Sequence, residues 1–165
     1  MFHIRPATPA DITSVDALLA RSFPRLLQGD YAPSMLVLAL PKISRAQPDL
    51  VSCGTYYLVH DSAGTLMGAG GWTAEAPGSG AVTRGEGHIR HVATDPEAIR
   101  RGVGRALVDH IIATTRDHGL RRLHCLSTRT AVPFYRAMGF EPLKDVTVPL
   151  GHGIDFPAVT MERSL

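Results

Sequence analysis

Cysteine is scarce in this 165-residue chain: Cys53 and Cys125 are too few for a disulfide framework, and both are expected to be reduced. Charge of one sign is scarce as well. The net charge is +2 and the basic residues are scattered, which argues against nucleic acid and against a membrane surface as partners. Nowhere is there the run of about 18 uninterrupted apolar residues that a membrane span needs. Met1-Phe2-His3-Ile4-Arg5-Pro6 lacks the charged and apolar regions of a signal peptide, so the expected location is cytoplasmic. Repeats and low-complexity segments are also missing. What the chain does have is 44% hydrophobic residues at a length that suits one core, so one domain over residues 1–165 is expected.

The hydrophobic pattern divides the chain into short elements. Phe2 to Arg5 reads as a strand stopped by Pro6. Thr8-Pro9-Ala10-Asp11 carries a helix start, with Thr8 as N-cap, Pro9 first and Asp11 third, a variant of the capping box. Ile12, Val15, Leu18 and Leu19 follow at helical spacing. A second helix is predicted from about Pro33 to Leu40, ended by Pro41, with residues 41–53 irregular. Thr55 to His60 and Thr65 to Trp72 read as strands joined by the turn Asp61-Ser62-Ala63-Gly64. Glu75 to Gly87 is a loop rich in Gly, Ser and Pro. His88 to Thr94 is a strand. Gly104 to His118 is a helix with Ala106, Leu107, His110, Ile111 and Thr114 on one side and Gly119 as its cap. A strand at Leu123 to Ser127, a short helix at Ala131 to Met138, and strands at Leu143 to Leu150 and Ile154 to Arg163 complete the chain. The order β-α-α-β-β-β-α-β-α-β-β predicts an α/β layered fold (α+β by some schemes). It is one mixed sheet of about seven strands flanked by about four helices.

The most informative stretch is Arg100-Arg101-Gly102-Val103-Gly104-Arg105-Ala106-Leu107, where a strand gives way to a helix. A small-residue turn opening a helix presents unpaired N–H groups at the positive end of the helix dipole, a natural seat for phosphate. The arginines add charge that can pair with phosphate oxygens. A dinucleotide-binding domain fits poorly, because repeated βαβ units are missing and Leu107 stands where a third glycine belongs. An ATP module would need a Walker-type lysine.

Three passages together resemble the GNAT superfamily of N-acetyltransferases: Ile4-Arg5-Pro6-Ala7-Thr8-Pro9-Ala10-Asp11; Val92-Ala93-Thr94-Asp95-Pro96 with Arg101-Gly102-Val103-Gly104-Arg105-Ala106-Leu107; and Ala131-Val132-Pro133-Phe134-Tyr135-Arg136-Ala137-Met138-Gly139-Phe140. The resemblance covers nearly the whole chain. It implies a mostly antiparallel sheet of the GNAT kind and direct acetyl transfer from acetyl-CoA to a primary amine of a small molecule or peptide, in a ternary complex. It further implies that the strand end at Val92, Ala93 and Thr94 holds the acetyl and pantetheine groups. The turn from Arg100 through Arg101, Gly102, Val103, Gly104 and Arg105 to Ala106 would cradle the pyrophosphate. Thr128 stands where the family often has an asparagine touching CoA. One departure is Ile99, in place of the usual Gln or Arg, which leaves Arg100 and Arg101 to supply the charge. By family analogy a homodimer is expected.

By the same resemblance Tyr135 is the general acid for the departing thiolate; a phenol with an ordinary pKa of about 10 keeps its proton at neutral pH. The competing reading is that it only packs. For the base, strand alternation puts Glu86, His88, Arg90, Val92 and Thr94 on one face, provided pairing is regular that far. His88 titrates closest to neutrality, and Glu86 could orient it or act through water. His91 falls on the opposite face, so no metal site is expected from the His88/His91 pair or elsewhere. Trp72 and Cys125 read as core. The reading from a different class is an acyl-CoA-binding regulatory or interaction domain that does not turn over.

Overall fold

The computed structural model describes residues 1–165. Seven strands form one sheet: β1 (His3–Pro6), β2 (Tyr56–His60), β3 (Leu66–Thr73), β4 (Glu86–Thr94), β5 (Arg122–Ser127), β6 (Glu141–Pro149) and β7 (Asp155–Ser164). Their order across the sheet is β1-β2-β3-β4-β5-β7-β6. Every pairing is antiparallel except β4 with β5. The helices are α1 (Ile12–Leu26), α2 (Pro33–Ile43), α3 (Pro48–Val51), α4 (Val103–Asp117) and α5 (Val132–Ala137). The expected mixed sheet is present, with one more helix than the pattern gave.

The start of α1 follows its sequence. The Asp11 carboxylate accepts the Thr8 N–H at 2.8 Å and pairs with Arg5 at 2.8 Å, so the helix start is tied to β1. Two expectations need correction. Pro41 does not end α2, which continues to Ile43. The carbonyl left without a donor is that of Val37, whose residue is 73% exposed and so open to water. The segment expected to be irregular contains α3, one turn opened by Pro48.

Alternation along β2 sets the two layers. Tyr56 and Leu58 meet Val15, Leu18 and Leu19 of α1, whereas Tyr57 and Val59 meet Val103, Leu107 and Ile111 of α4. Burying side chains of this size stabilises by about 1.5–3 kcal/mol each. The deepest face of α4 runs through Val103, Leu107, Val108, Ile111, Ile112 and Thr115; Ala106, His110 and Thr114 sit at its margin. Trp72 lies in this core, its indole N–H donated to Thr114 Oγ1 at 3.2 Å.

One irregularity controls everything downstream. Ala69 pairs with Ala93 but Gly71 pairs with Arg90, so β4 carries one residue more than β3 over this span. That is a β-bulge, and its extra residue is absorbed where His91 takes φ 52°. Gly70 opposite is obligatory, because a Cβ there would stand 2.6 Å from Val92 Cγ2. The bulge breaks the expected single face: Val92 packs with the α4 layer, while Ala93 joins the α1 layer. Arg90, bonded to Thr73, and His91, bonded to Ile43, both lie on the α1–α2 side. His91 is therefore not on the face opposite His88.

Candidate active site

Strands β4 and β5 pair only at Glu86–His88 with Arg122–His124. Beyond that they part, and the edge of β4 from Ile89 to Thr94 has no β5 partner. A cavity of about 990 Å³ opens there, walled by Ile89–Thr94 of β4, Cys125–Ser127 of β5 with Thr128 just after it, Tyr135 of α5 and the turn before α4. Strand backbone left open beside a cavity offers N–H and C=O groups to a ligand.

The turn that feeds α4 is built by its own residues. Asp95 caps the short turn after β4 by accepting the Glu97 N–H at 2.8 Å, and it takes Arg21 of α1 at 2.9 Å. Arg100 and Gly102 both adopt left-handed backbone, φ 66° and 84°. The N–H groups of Gly102, Val103, Gly104 and Arg105 have no partner in the protein, and these residues line the cavity together with Arg100. The Ala106 N–H, in contrast, is bonded to Gly102 O and the Arg101 N–H to Ala98 O, so neither is free to cradle phosphate. The Arg101 and Ala106 side chains are also outside the cavity wall. Four free donors at a helix start, with Arg100 and Arg105 unpaired beside them, form a seat for an anion. Ser22 Oγ is buried, without a partner and on the same wall; no feature of the sequence had marked it.

Tyr135 lies 5% exposed on this wall, edge-on to Phe134 and Phe140 at 5.1 and 5.5 Å. Burial holds its phenol well above its ordinary range, and burial likewise pushes the neighbouring Cys125 thiol up to about 12. Both stay protonated at neutral pH, which leaves Cys125 without the thiolate a covalent route requires. Thr128 lines the cavity, but its hydroxyl accepts the Ala131 N–H at 3.3 Å and so serves first as a brace for α5. Ile99 lies on the wall, 45% exposed.

Glu86 and His88 are not part of this cavity. They stand at the paired end of β4, where the His88 ring stacks on His124 at 5.1 Å and His124 Nε2 lies 3.2 Å from Glu86. Burial first, then the adjacent His124, holds the His88 imidazole below its ordinary pKa. The residue that does face the cavity is His91. Its Nε2 lies 2.8 Å from Ile43 O, and Phe23 stacks on the ring at 5.7 Å. A carbonyl only accepts, so Nε2 carries the hydrogen and the neutral ring keeps its lone pair on Nδ1. Burial lowers its pKa.

Residues 47–165 match the sequence model described as an acetyltransferase (GNAT) domain. The chain belongs to the GNAT acetyltransferase family. Solved structures agree with this acetyltransferase in fold. A GCN5-related N-acetyltransferase from Rhodopseudomonas palustris superposes with a TM-score of 0.79 at 21% identity, over 99% of this chain and 95% of that one. The PaiA N-acetyltransferase from Thermoplasma acidophilum, in complex with coenzyme A, gives 0.73 at 14% identity over 100% and 99%. N-acetylglutamate synthase from Neisseria gonorrhoeae, complexed with coenzyme A and N-acetyl-glutamate, gives 0.64 at 22% over 100% of this GNAT chain and 35% of its own. No curated protein sequence matches it. None of its helices is long and apolar enough to cross a membrane.

Proposed function

We propose that this acyltransferase moves the acetyl group of acetyl-CoA to a primary amine by direct attack in a ternary complex. The observation that carries the reading is that one cavity joins the free N–H groups of Gly102–Arg105, the open edge of β4, Tyr135 and a neutral His91. Coenzyme A bound in two of the superposing structures supports the choice of donor. Acetyl-CoA supplies a thioester; the rest is done by the chain.

The turn from Arg100 to Arg105 binds the pyrophosphate, and Val92 to Thr94 offer backbone to the acetyl and pantetheine groups. His91 Nδ1 takes a proton from the acceptor ammonium, leaving a nitrogen lone pair to attack the thioester carbon. Tyr135 gives its hydroxyl proton to the sulfur as the carbon–sulfur bond breaks, so that coenzyme A leaves as the thiol, and the phenolate recovers a proton from the nitrogen as the amide forms. Assigning the base to His91 replaces Glu86 and His88, whose carboxylate and ring are engaged at the other end of β4.

The test is thiol release from acetyl-CoA across a panel of primary amines, with the acetylated product weighed by mass spectrometry. Intersecting double-reciprocal lines are expected, because both substrates must be bound together. Tight acetyl-CoA binding with no thiol released for any amine would instead mark a regulatory domain.

A further inference from the structure

A second cavity of about 480 Å³ lies beside the first, and Arg90 and Gln47 line both. Its wall also holds Lys42 at the end of α2, Arg45 just beyond it, Asp49 of α3 and Glu75 beyond β3. Arg90 is half-buried, yet it makes a single side-chain hydrogen bond, Nη1 to Thr73 Oγ1 at 3.0 Å, and no carboxylate lies within ion-pair distance. Thr73 is itself occupied, its hydroxyl donated to Glu75 O at 2.8 Å. Burial lowers the Arg90 pKa, opposed by the nearby Cys53 and Glu75, so the fold holds a guanidinium with most of its donors unspent. Lys42 and Arg45 are without ion-pair partners too, so three cations face two carboxylates around this cavity.

Resting on the acetyltransferase reading above, we propose that the acceptor is a small amine bearing a carboxylate, which Arg90 grips while the amine reaches His91. A planar guanidinium fork matches a carboxylate in two parallel hydrogen bonds. Arg90 and His91 are successive residues, their Cα atoms about 3.8 Å apart, and the bulge leaves both side chains on the α1–α2 side, so the acceptor's charge and its amine are separated by only a few bonds. The modest volume of this second cavity also favours a free small molecule.

The test compares matched pairs of acceptors, each amino acid against the amine left by removing its carboxyl group, with aminoalkyl phosphonates as a third arm. The carboxylates are expected to have kcat/KM at least tenfold higher. Arg90→Gln should raise their KM ten- to a hundredfold with kcat changed less than threefold, so that the discrimination collapses toward one, while Arg90→Lys falls between. Coenzyme A affinity, read by calorimetry, should be unchanged in both variants, which separates loss of the subsite from misfolding. Equal use of carboxylated and plain amines, a preference for phosphonates, or an Arg90→Gln effect confined to kcat would overturn the proposal. If no amine releases thiol, the same acceptors are titrated into the protein loaded with coenzyme A. Binding confined to carboxylates would then retain the subsite and remove the acetyltransferase reading, whereas binding without preference would remove the subsite.

Discussion

Replacing His91 by Gln tests the base with little disturbance to the fold. The amide nitrogen of glutamine can occupy the place of Nε2 and keep the 2.8 Å bond to Ile43 O. What is lost is the Nδ1 lone pair and the stack on Phe23. A positioned general base is worth about 10²–10⁴ in rate, so kcat/KM at pH 7 should fall by at least about a hundredfold. The left-handed backbone at φ 52° suits glutamine less well than histidine, and lost packing adds to that. Together they cost about 1–2 kcal/mol, which lowers Tm by roughly 2–8 °C. The pH profile is more diagnostic than the rate. Burial depresses the His91 pKa, so the neutral, active form persists below 6.5, and wild-type kcat/KM declines only as pH falls through that lowered value. Without the base the acceptor must arrive already deprotonated, and kcat/KM should climb with unit slope to the acceptor's own ammonium pKa. Stopped-flow or plate-based thiol release between pH 5 and 10 resolves both shapes. A glutamine variant that keeps the wild-type acidic limb and loses less than fivefold in rate refutes the assignment.

Tyr135→Phe removes one hydroxyl from a buried ring whose aromatic packing survives. It should lower kcat about 10²-fold with the acetyl-CoA dissociation constant changed less than twofold by calorimetry. Gly102→Glu forces a side chain onto φ 84° and sets a carboxylate beside the four free N–H groups; coenzyme A binding should be lost while the circular dichroism spectrum persists. Glu86→Gln and His88→Asn, outside the cavity, should each change kcat/KM less than threefold in the thiol assay, and a hundredfold loss in either would return the base to the paired end of β4.

The bulge in β4 marks the line between what the sequence made legible and what it did not. Local signals carried the fold: Thr8 to Asp11 at the start of α1, Gly119 after α4, and the turn at Asp61–Gly64 depend on residues near each other in the chain. The phosphate turn was legible for the same reason, since glycine at φ 84° and a helix start are local properties. The face of each β4 side chain is not local. Strict alternation assumes that every residue of β4 meets one of β3, and a single extra residue at His91 exchanges the two faces from there on. That is why alternation grouped Glu86 and His88 with Val92, and why His91 was set apart from the chemistry. The signal was nevertheless in the sequence, on the neighbouring strand. Gly68, Gly70 and Gly71 crowd into β3, where a strand gains nothing from glycine unless something presses on it. At Gly70 that something is Val92, pushed inward by the bulge. Glycines in one strand can thus report an irregularity in the strand beside it, and here that irregularity brings His91 to the cavity beside Arg90.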